Sequence, residues 1–331
     1  MVKVAKRTEL PHVAGFDPNR LQGDYVYDEE KGDRAVSFFS DVLQHVKNSR
    51  FTKAGDPFTL EPWQQDIVRL MFGCADRKGL RRFRQSYVEI PRKNGKTSLC
   101  AGIAIYGLYC DKEAGAECYC AAATRDQASL LFDLAAGMVR KSEILLNAPG
   151  SKIKQSIKRI NYGDSYLRAV ASDAHGLHGQ HAHMVLADEV HAWVQGGHEL
   201  WDTLETGTAA RGQALMIGIT TAGHDKESKC YELHQYAEGV RDGKIDDPTF
   251  LPVVYGAQPG DDWTDPEVWA KANPNLNVSI PIEYLKQKCH QAQANPSFEN
   301  TFKRLHLNMW TQQRTRWLNM EAWDQCGQVA T

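Results

Sequence analysis

The sequence predicts an α/β fold in which a mainly parallel central sheet is flanked by helices and followed by a small helical subdomain. Three observations carry that prediction. Residues 87–98 read as strand, turn and helix start: Val88 and Ile90 lie in a short apolar run, and Gly95-Lys96-Thr97 opens the apolar segment 99–105. Residues 183–187 are a continuous apolar run that ends in Asp188-Glu189, the pattern of a strand buried on both faces of a parallel sheet. Beyond residue 224 the patterning turns helical and rich in Trp, broken at Asn273-Pro274 and Asn295-Pro296.

Composition bounds the possibilities. The chain has 331 residues, room for one large or two small domains, and 42% hydrophobic residues, enough for a proper core. A formal net charge of −2 gives no global basic field, so contact with nucleic acid has to use local patches. The eight cysteines include no Cys-x-x-Cys pair, and Cys118 and Cys120 share one strand face. They are read as buried thiols in a reducing compartment rather than disulfides or a metal site. The N-terminus lacks an apolar signal core, and no stretch reaches the ~18–20 apolar residues of a membrane span. The expectation is a soluble intracellular protein.

In chain order, residues 1–34 read as an extended lead-in. A helix follows over 35–46, with Val36, Phe39, Leu43 and Val46 on one face. Gly55-Asp56-Pro57 breaks the chain before a second helix, with Pro62 in its first turn and Ile67, Leu70 and Met71 on one side. Gln64 at that helix start reads either as an amide for an adenine edge or as a surface residue. Arg81-Arg82-Phe83-Arg84 reads as a phosphate-contacting knot or, more plainly, a solvated basic face. Residues 117–123 give a second strand, and Thr124 suits the N-cap of a helix running to about Arg140. Ile153, Ile157 and Ile160, then residues 166–170, suggest two more strands. Residues 215–219 form a further buried strand that ends in Thr220-Thr221-Ala222-Gly223. Helices are expected over 231–240, 265–271, 282–293 and 298–309, with an Arg- and Trp-rich tail over 310–323.

The chemistry concentrates at the turns. Backbone N–H groups at a helix N-terminus point toward an anion, and the helix dipole favours negative charge there. In the loop Arg92, Lys93, Asn94, Gly95, Lys96, Thr97, Ser98, the Lys96 ammonium would reach β/γ-phosphates and Thr97 would hold Mg²⁺. The spacing departs from the usual pattern, because Ile90 stands where its first glycine would be. Asp188 and Glu189 emerge at the C-terminal edge of the sheet, where ligands bind in open α/β folds. There Asp188 can hold Mg²⁺ through water, and Glu189 can orient and deprotonate an attacking water. The hydroxyls of Thr220 and Thr221 read either as partners of a γ-phosphate or catalytic carboxylate, or as a plain turn.

Gln64, the 92–97 loop, Asp188-Glu189 and residues 220–223 occur in the order of an additional-strand, RecA-like P-loop ATPase core. Phe58-Thr-Leu-Glu-Pro-Trp-Gln64, Pro91-Arg-Lys-Asn-Gly-Lys-Thr-Ser98, Val185-Leu-Ala-Asp-Glu189 and Ile219-Thr-Thr-Ala-Gly223 together resemble the ATPase part of a tailed-bacteriophage terminase large subunit. That family's motor packages DNA into a procapsid and commonly uses a loop lacking the first glycine. The resemblance implies ATP with Mg²⁺, held by Lys96, Thr97 and Asp188, and Glu189 as the catalytic carboxylate. It also implies Gln64 on adenine, Arg92 on the γ-phosphate or stacked on the base, and Thr220, Thr221 and Gly223 as a coupling motif. A neighbouring subunit would supply an arginine finger, with Arg211 the first candidate and a surface loop arginine the competing reading. The implied partners are double-stranded DNA, a portal protein, a terminase small subunit and further copies in a ring, often a pentamer, in the host cytoplasm. The expected division is 1–34 lead-in, 35–224 ATPase core and 225–331 helical lid, with the family's nuclease domain absent and no DNA cleavage by this chain. Three rivals stand beside this reading. Asp188-Glu189-Val190-His191 spells the box of a DExH helicase. His175, His178, His181, His183, His191 and His198 cluster around the acidic strand as a metal module would require. A nucleotide-dependent scaffold without turnover is the third.

Overall fold

The apolar runs of the sequence become the middle of an eight-stranded sheet. The computed structural model describes residues 10–20, 23–171, 179–193 and 197–311. Its strands are β1 (Tyr25–Tyr27), β2 (Cys74–Asp76), β3 (Gln85–Glu89), β4 (Glu117–Ala122), β5 (Lys152–Lys154), β6 (Arg159–Tyr162), β7 (Ser165–Ala171), β8 (Ala182–Asp188), β9 (Leu215–Thr220) and β10 (Phe250–Val254). Its α-helices are α1 (Glu29–Val42), α2 (Pro62–Gly73), α3 (Lys96–Tyr109), α4 (Arg125–Lys141), α5 (Glu143–Leu146), α6 (Gly197–Thr208), α7 (Lys229–Arg241), α8 (Pro266–Ala272), α9 (Ile282–Ala294) and α10 (Pro296–Leu307).

The sheet order is β10-β3-β9-β8-β4-β7-β6-β5, with β1 and β2 forming a separate antiparallel pair. From β10 to β7 every pairing is parallel, and only β6 and β5 run against their neighbours. Every residue of β8 and of β9 is buried, as a parallel sheet covered on both faces requires. Helix α3 is apolar nearly all round because the sheet, α4 and α1 enclose it. Gly102 permits the approach of α1: a Cβ there would stand 2.2 Å from Phe39 Cε1.

The elements differ from the sequence expectation at several bounds, α1 ending at Val42 rather than at 46 among them. Helix α1 starts at Glu29 rather than at 35, because the Asp28 side chain caps it by accepting from Lys31 N, and Glu29 and Glu30 suit the positive end of the dipole. The sheet also continues past residue 224: β10 pairs parallel with β3, Pro252 opposite Tyr87. A proline inside the run argues against a central strand. At the sheet edge, where β10 has a single neighbour, the missing N–H is tolerated. A second apolar cluster, including Ala257, Trp269, Leu285, Phe302 and Leu307, gathers α8, α9 and α10.

The basic knot is not a solvated face. Arg81 and Arg82 are buried. Arg81 pairs with Asp111, and Arg82 donates to Pro248 O (2.9 Å) and Pro18 O (3.2 Å). Arg84 donates to the carbonyls of Arg211 (2.7 Å), Gly212 (2.9 Å) and Ala214 (3.0 Å). These guanidiniums fasten the N-terminal edge of the sheet, the end away from the 92–97 loop. The seven described cysteines are free thiols, and the eighth, Cys326, lies outside the described residues.

Asp111 is the common partner of two buried basic groups: Arg81, whose side chain is 4% exposed, and His183 Nε2 at 2.7 Å. Burial opposes its ionisation, but Arg81 and His183 outweigh it and hold the carboxyl below its ordinary value. Asp111→Ala is expected to lower unfolding free energy by about 3–5 kcal/mol at pH 7 in urea titrations, because it strands the buried guanidinium. Since the folded pKa is depressed, this contribution is present above the ordinary carboxylate pKa of about 4 and is lost as pH falls through the lower folded value. The gap between wild type and variant should close only in that acid range.

Candidate nucleotide site

The ends of β3, β9 and β8 lie side by side, in that order, and carry the loop, the threonines and the acids. Glu89 is level with Thr220, and Ile219 with Asp188. The strand β9 thus stands between the loop strand and the acidic strand, and Ile90 N donates to Thr220 O (3.1 Å) to extend that contact past the strands.

The loop is built around a buried ammonium. Lys96 Nζ donates to Ile90 O (2.6 Å) and Pro91 O (3.2 Å), so the residue in place of the usual glycine supplies a carbonyl rather than a clash. Burial draws the Lys96 pKa down to about 8, against the pull of Glu189 and Asp188. Gly95 caps α3 at φ +81°, a conformation open to glycine at little cost. Arg92 and Lys93 are exposed, Thr97 and Ser98 are half-buried, and Asn94 is fully enclosed.

Asn94 shows what holds the loop in shape. Its Nδ2 donates to Pro91 O (3.1 Å) and Asn273 Oδ1 (2.9 Å), and its Oδ1 accepts from Asn275 N (3.0 Å). Asn275 Nδ2 returns a bond to Asn94 O (3.1 Å), and Trp63 Nε1 donates to Asn275 Oδ1 (2.6 Å). Arg92 N also donates to Leu305 O (2.9 Å). In the sequence Asn273-Pro274-Asn275 reads only as a break. Its role in the loop depends on a contact spanning about half the chain, which no local pattern reveals.

Asp188 ends β8, and burial with the adjacent Glu189 charge pushes its carboxyl up to about 7 despite Lys96. Its Oδ1 is buried without a hydrogen-bond partner. A carboxylate oxygen so placed, within electrostatic reach of Lys96 at the start of α3, fits a hydrated divalent cation such as Mg²⁺. Glu189 turns away from the strand in the left-handed region, at φ +50°. Burial opposes its ionisation most strongly, yet His191, Lys96 and Arg92 together hold its carboxyl below the ordinary range. The two acids therefore differ: one is poised to take up a cation, the other to stay ionised.

Thr220 and Thr221 are buried beside these acids. Thr220 Oγ1 accepts from His191 N (3.0 Å) and donates to Thr221 O (2.9 Å). Gly223 is needed for closeness: a Cβ there would meet the Trp310 ring at 2.9 Å. Behind the threonines, the buried Glu89 accepts from Tyr87 Oη (2.7 Å) and Trp310 Nε1 (3.2 Å) and faces His234 Nδ1 at 3.2 Å. Sequence reasoning missed Glu89 and His234, which carry no motif, and took His191 as the last letter of a box or as one of a histidine cluster.

Two expected residues are placed otherwise. Gln64 borders the loop, with Nε2 3.4 Å from where a Gly95 Cβ would stand, but its Oε1 accepts from Glu61 N (3.0 Å) in the cap of α2. The amide therefore does not present a free donor and acceptor together. Arg211 lies at the far edge of the sheet, and its guanidinium is engaged within its own chain by His181 O (2.7 Å), Ala114 O (3.1 Å), Gly115 O (2.6 Å) and Glu113 (2.8 Å). It is a staple between loops rather than a side chain free to reach another subunit. A cavity of about 560 Å³ opens beside the loop, lined by Gln64, Gly95, Thr97, Ser98, Phe58 and Leu134 among others. Among the described residues no group of three or more His, Cys, Asp or Glu is placed to hold a metal ion, and His175 and His178 of the expected cluster lie outside them.

Comparison with known proteins bears on the same residues. The family model for the terminase large subunit ATPase domain matches residues 62–239, and the model for the terminase large subunit endonuclease domain matches residues 244–330. The second match corrects the expectation that nothing of a nuclease domain lies in this chain; the part of it within the described residues reads locally as β10 and three helices, which hid it. The terminase large subunit of Enterobacteria phage HK97 is 27% identical over 283 residues, covering 83% of this chain and 53% of that protein. Protein YmfN of Escherichia coli (strain K12) is 36% identical over 148 residues, 45% of this chain and 32% of that protein. The chain thus spans about half or less of the length of these relatives. The crystal structure of the HK97 bacteriophage large terminase shares the fold, with a TM-score of 0.71 at 24% identity over 91% of this chain and 60% of that one. With more than half of its length matched by the ATPase-domain model, this chain belongs to the terminase large subunit family.

Proposed function

We propose that this chain binds and hydrolyses ATP at the edge formed by β3, β9 and β8, and that hydrolysis drives double-stranded DNA into a procapsid. The observation that carries the reading is the meeting of one buried ammonium, Lys96, with two carboxylates of opposite ionisation tendency, Asp188 and Glu189. A site of that charge pattern at a helix N-terminus suits a polyphosphate.

The geometry supports the following roles. The amides at the start of α3 and the Lys96 ammonium bind and orient the phosphates, with Arg92, Lys93, Asn94, Gly95 and Ser98 shaping the rest of the loop. Thr97 and Asp188 would hold Mg²⁺, which when bound neutralises charge on the phosphate oxygens. Glu189 orients the water for in-line attack and takes its proton. The cavity beside Gln64 and Phe58 is the space for the base, with the Gln64 Nε2 hydrogens its available polar contact. Thr220, Thr221 and Gly223 relay the state of the site. The finger from a neighbouring subunit is assigned to no residue, Arg211 being engaged. DNA, a portal protein, a small subunit and further copies in a ring at the procapsid, in the host cytoplasm, are the partners this reading brings. No helix among the described residues is long and apolar enough to cross a membrane. The helicase alternative is less favoured, given the match of the terminase ATPase-domain model.

Glu189→Gln should retain ATP binding and lower turnover by ~10²–10⁴, read as phosphate release under saturating ATP. Wild-type turnover from this variant would remove Glu189 from its role. Lys96→Ala should instead weaken nucleotide binding itself, measured by titration with a fluorescent ATP analogue; an unchanged dissociation constant would reject the loop assignment.

A further inference from the structure

We propose that His191 is a positioning residue that shares a single Nδ1 proton between the Glu189 carboxylate and the Thr220-Thr221 turn, and so links the ionised acid to β9. The proposal deepens the reading of Glu189 given above and rests on it.

Three oxygens surround one ring nitrogen. His191 Nδ1 lies 3.0 Å from Thr220 Oγ1, 3.4 Å from Thr221 Oγ1 and 3.1 Å from Glu189 Oε2. The Thr220 hydroxyl gives its own proton to Thr221 O (2.9 Å), so toward His191 it can only accept. With the ring neutral, that bond needs the proton on Nδ1. The same hydroxyl accepts from His191 N (3.0 Å), which fixes the ring beside it. Glu189 Oε2 is buried, close to Nδ1, and completes no hydrogen bond in this arrangement.

One N–H cannot serve all three oxygens well. Directed at Glu189, it holds the carboxylate back against the sheet. Directed at Thr220, it leaves Glu189 Oε2 free to accept from a water. The two choices differ by a small rotation of buried groups, and β9, joined to the phosphate loop through Ile90 N and Thr220 O, feels which one is made. His191 is itself well enclosed, its side chain 10% exposed, so bulk water competes little for the proton.

The test is made on the whole chain. His191→Phe should lower kcat for ATP about 10- to 100-fold, the scale of one hydrogen bond to a charged group, with KM within about threefold of wild type. His191→Asn, whose Nδ2 hydrogens occupy the place of Nδ1–H, should recover most of that loss. His191→Phe combined with Thr220→Val should be no slower than His191→Phe alone, as expected of two residues acting through one bond. Independently of turnover, nitrogen-15 NMR of the nucleotide-free protein should show the His191 proton on Nδ1. Wild-type kcat in His191→Phe, failure of His191→Asn to improve on it, or a proton on Nε2 with bare Nδ1 would each overturn the proposal. Glu189→Gln in the same assay separates the two levels. If it abolishes turnover while His191→Phe keeps wild-type kcat, only the role of His191 falls; if Glu189→Gln turns over normally, the reading of the acid falls and this one with it.

Discussion

The site depends on a buried ammonium whose charge is only partly answered. Lys96 caps two loop carbonyls and is enclosed, so its amine is drawn down to about 8 while two acids pull the other way. Burying a charge without full compensation is costly, and proteins tolerate it where the compensation arrives with a ligand. Asp188, held up near 7 with an unpartnered oxygen, is the complementary deficit. An incoming metal–triphosphate would bring a cation to one and anions to the other. Under the proposed function, the same residues that leave the edge electrostatically unsettled are the ones that receive the ligand.

That charge pattern would be worthless without a frame that keeps the three strand ends level. The frame comes from apolar burial in β8 and β9, and from the guanidiniums of Arg81, Arg82 and Arg84 at the opposite edge. Basic residues just ahead of a phosphate loop invite a ligand-binding interpretation. Here their donors are used by carbonyls and by Asp111, so their contribution is to the sheet. At the site edge the corresponding fastening is made by amides: Asn94 bonds both Asn273 and Asn275. The phosphate loop is consequently tied to the segment that carries α8 to α10.

What the sequence showed and hid follows from the range of each interaction. The order of loop, acids and threonines was legible because each motif is a contiguous strand-to-turn pattern. The Thr124 cap was legible for the same reason, and the side chain accepts from Gln127 N as the cap requires. The strand β10 was hidden because Pro252 breaks the local rule, and only its place at the edge permits it. Arg211 and Gln64 were misjudged because residue type suggested a free polar group, whereas distant loop carbonyls use the guanidinium and the local cap of α2 uses the amide oxygen. Glu89, His234 and the asparagine network could not be found, since burial of a polar residue against a distant one leaves no periodicity.

The placement of β9 has a further mechanical meaning. In a sheet where the loop strand and the acidic strand were neighbours, a shift of one would be felt directly by the other through ladder bonds. Here β9 intervenes, and its last residue, Thr220, carries both connections: a carbonyl that accepts from Ile90 N and a hydroxyl that accepts from His191 N. Beyond it the turn is bound again, Ala222 N donating to Asn308 Oδ1 (3.0 Å) and Gly223 lying against Trp310. Asn308 in turn donates to Tyr255 O (2.7 Å), at the end of β10. His191, next to the acids, is thus joined through Thr220, the chain of the turn and Ala222 N to the residues that follow α10. The absence of a side chain at Gly223 is what lets Trp310 close that route, so the glycine serves contact rather than flexibility.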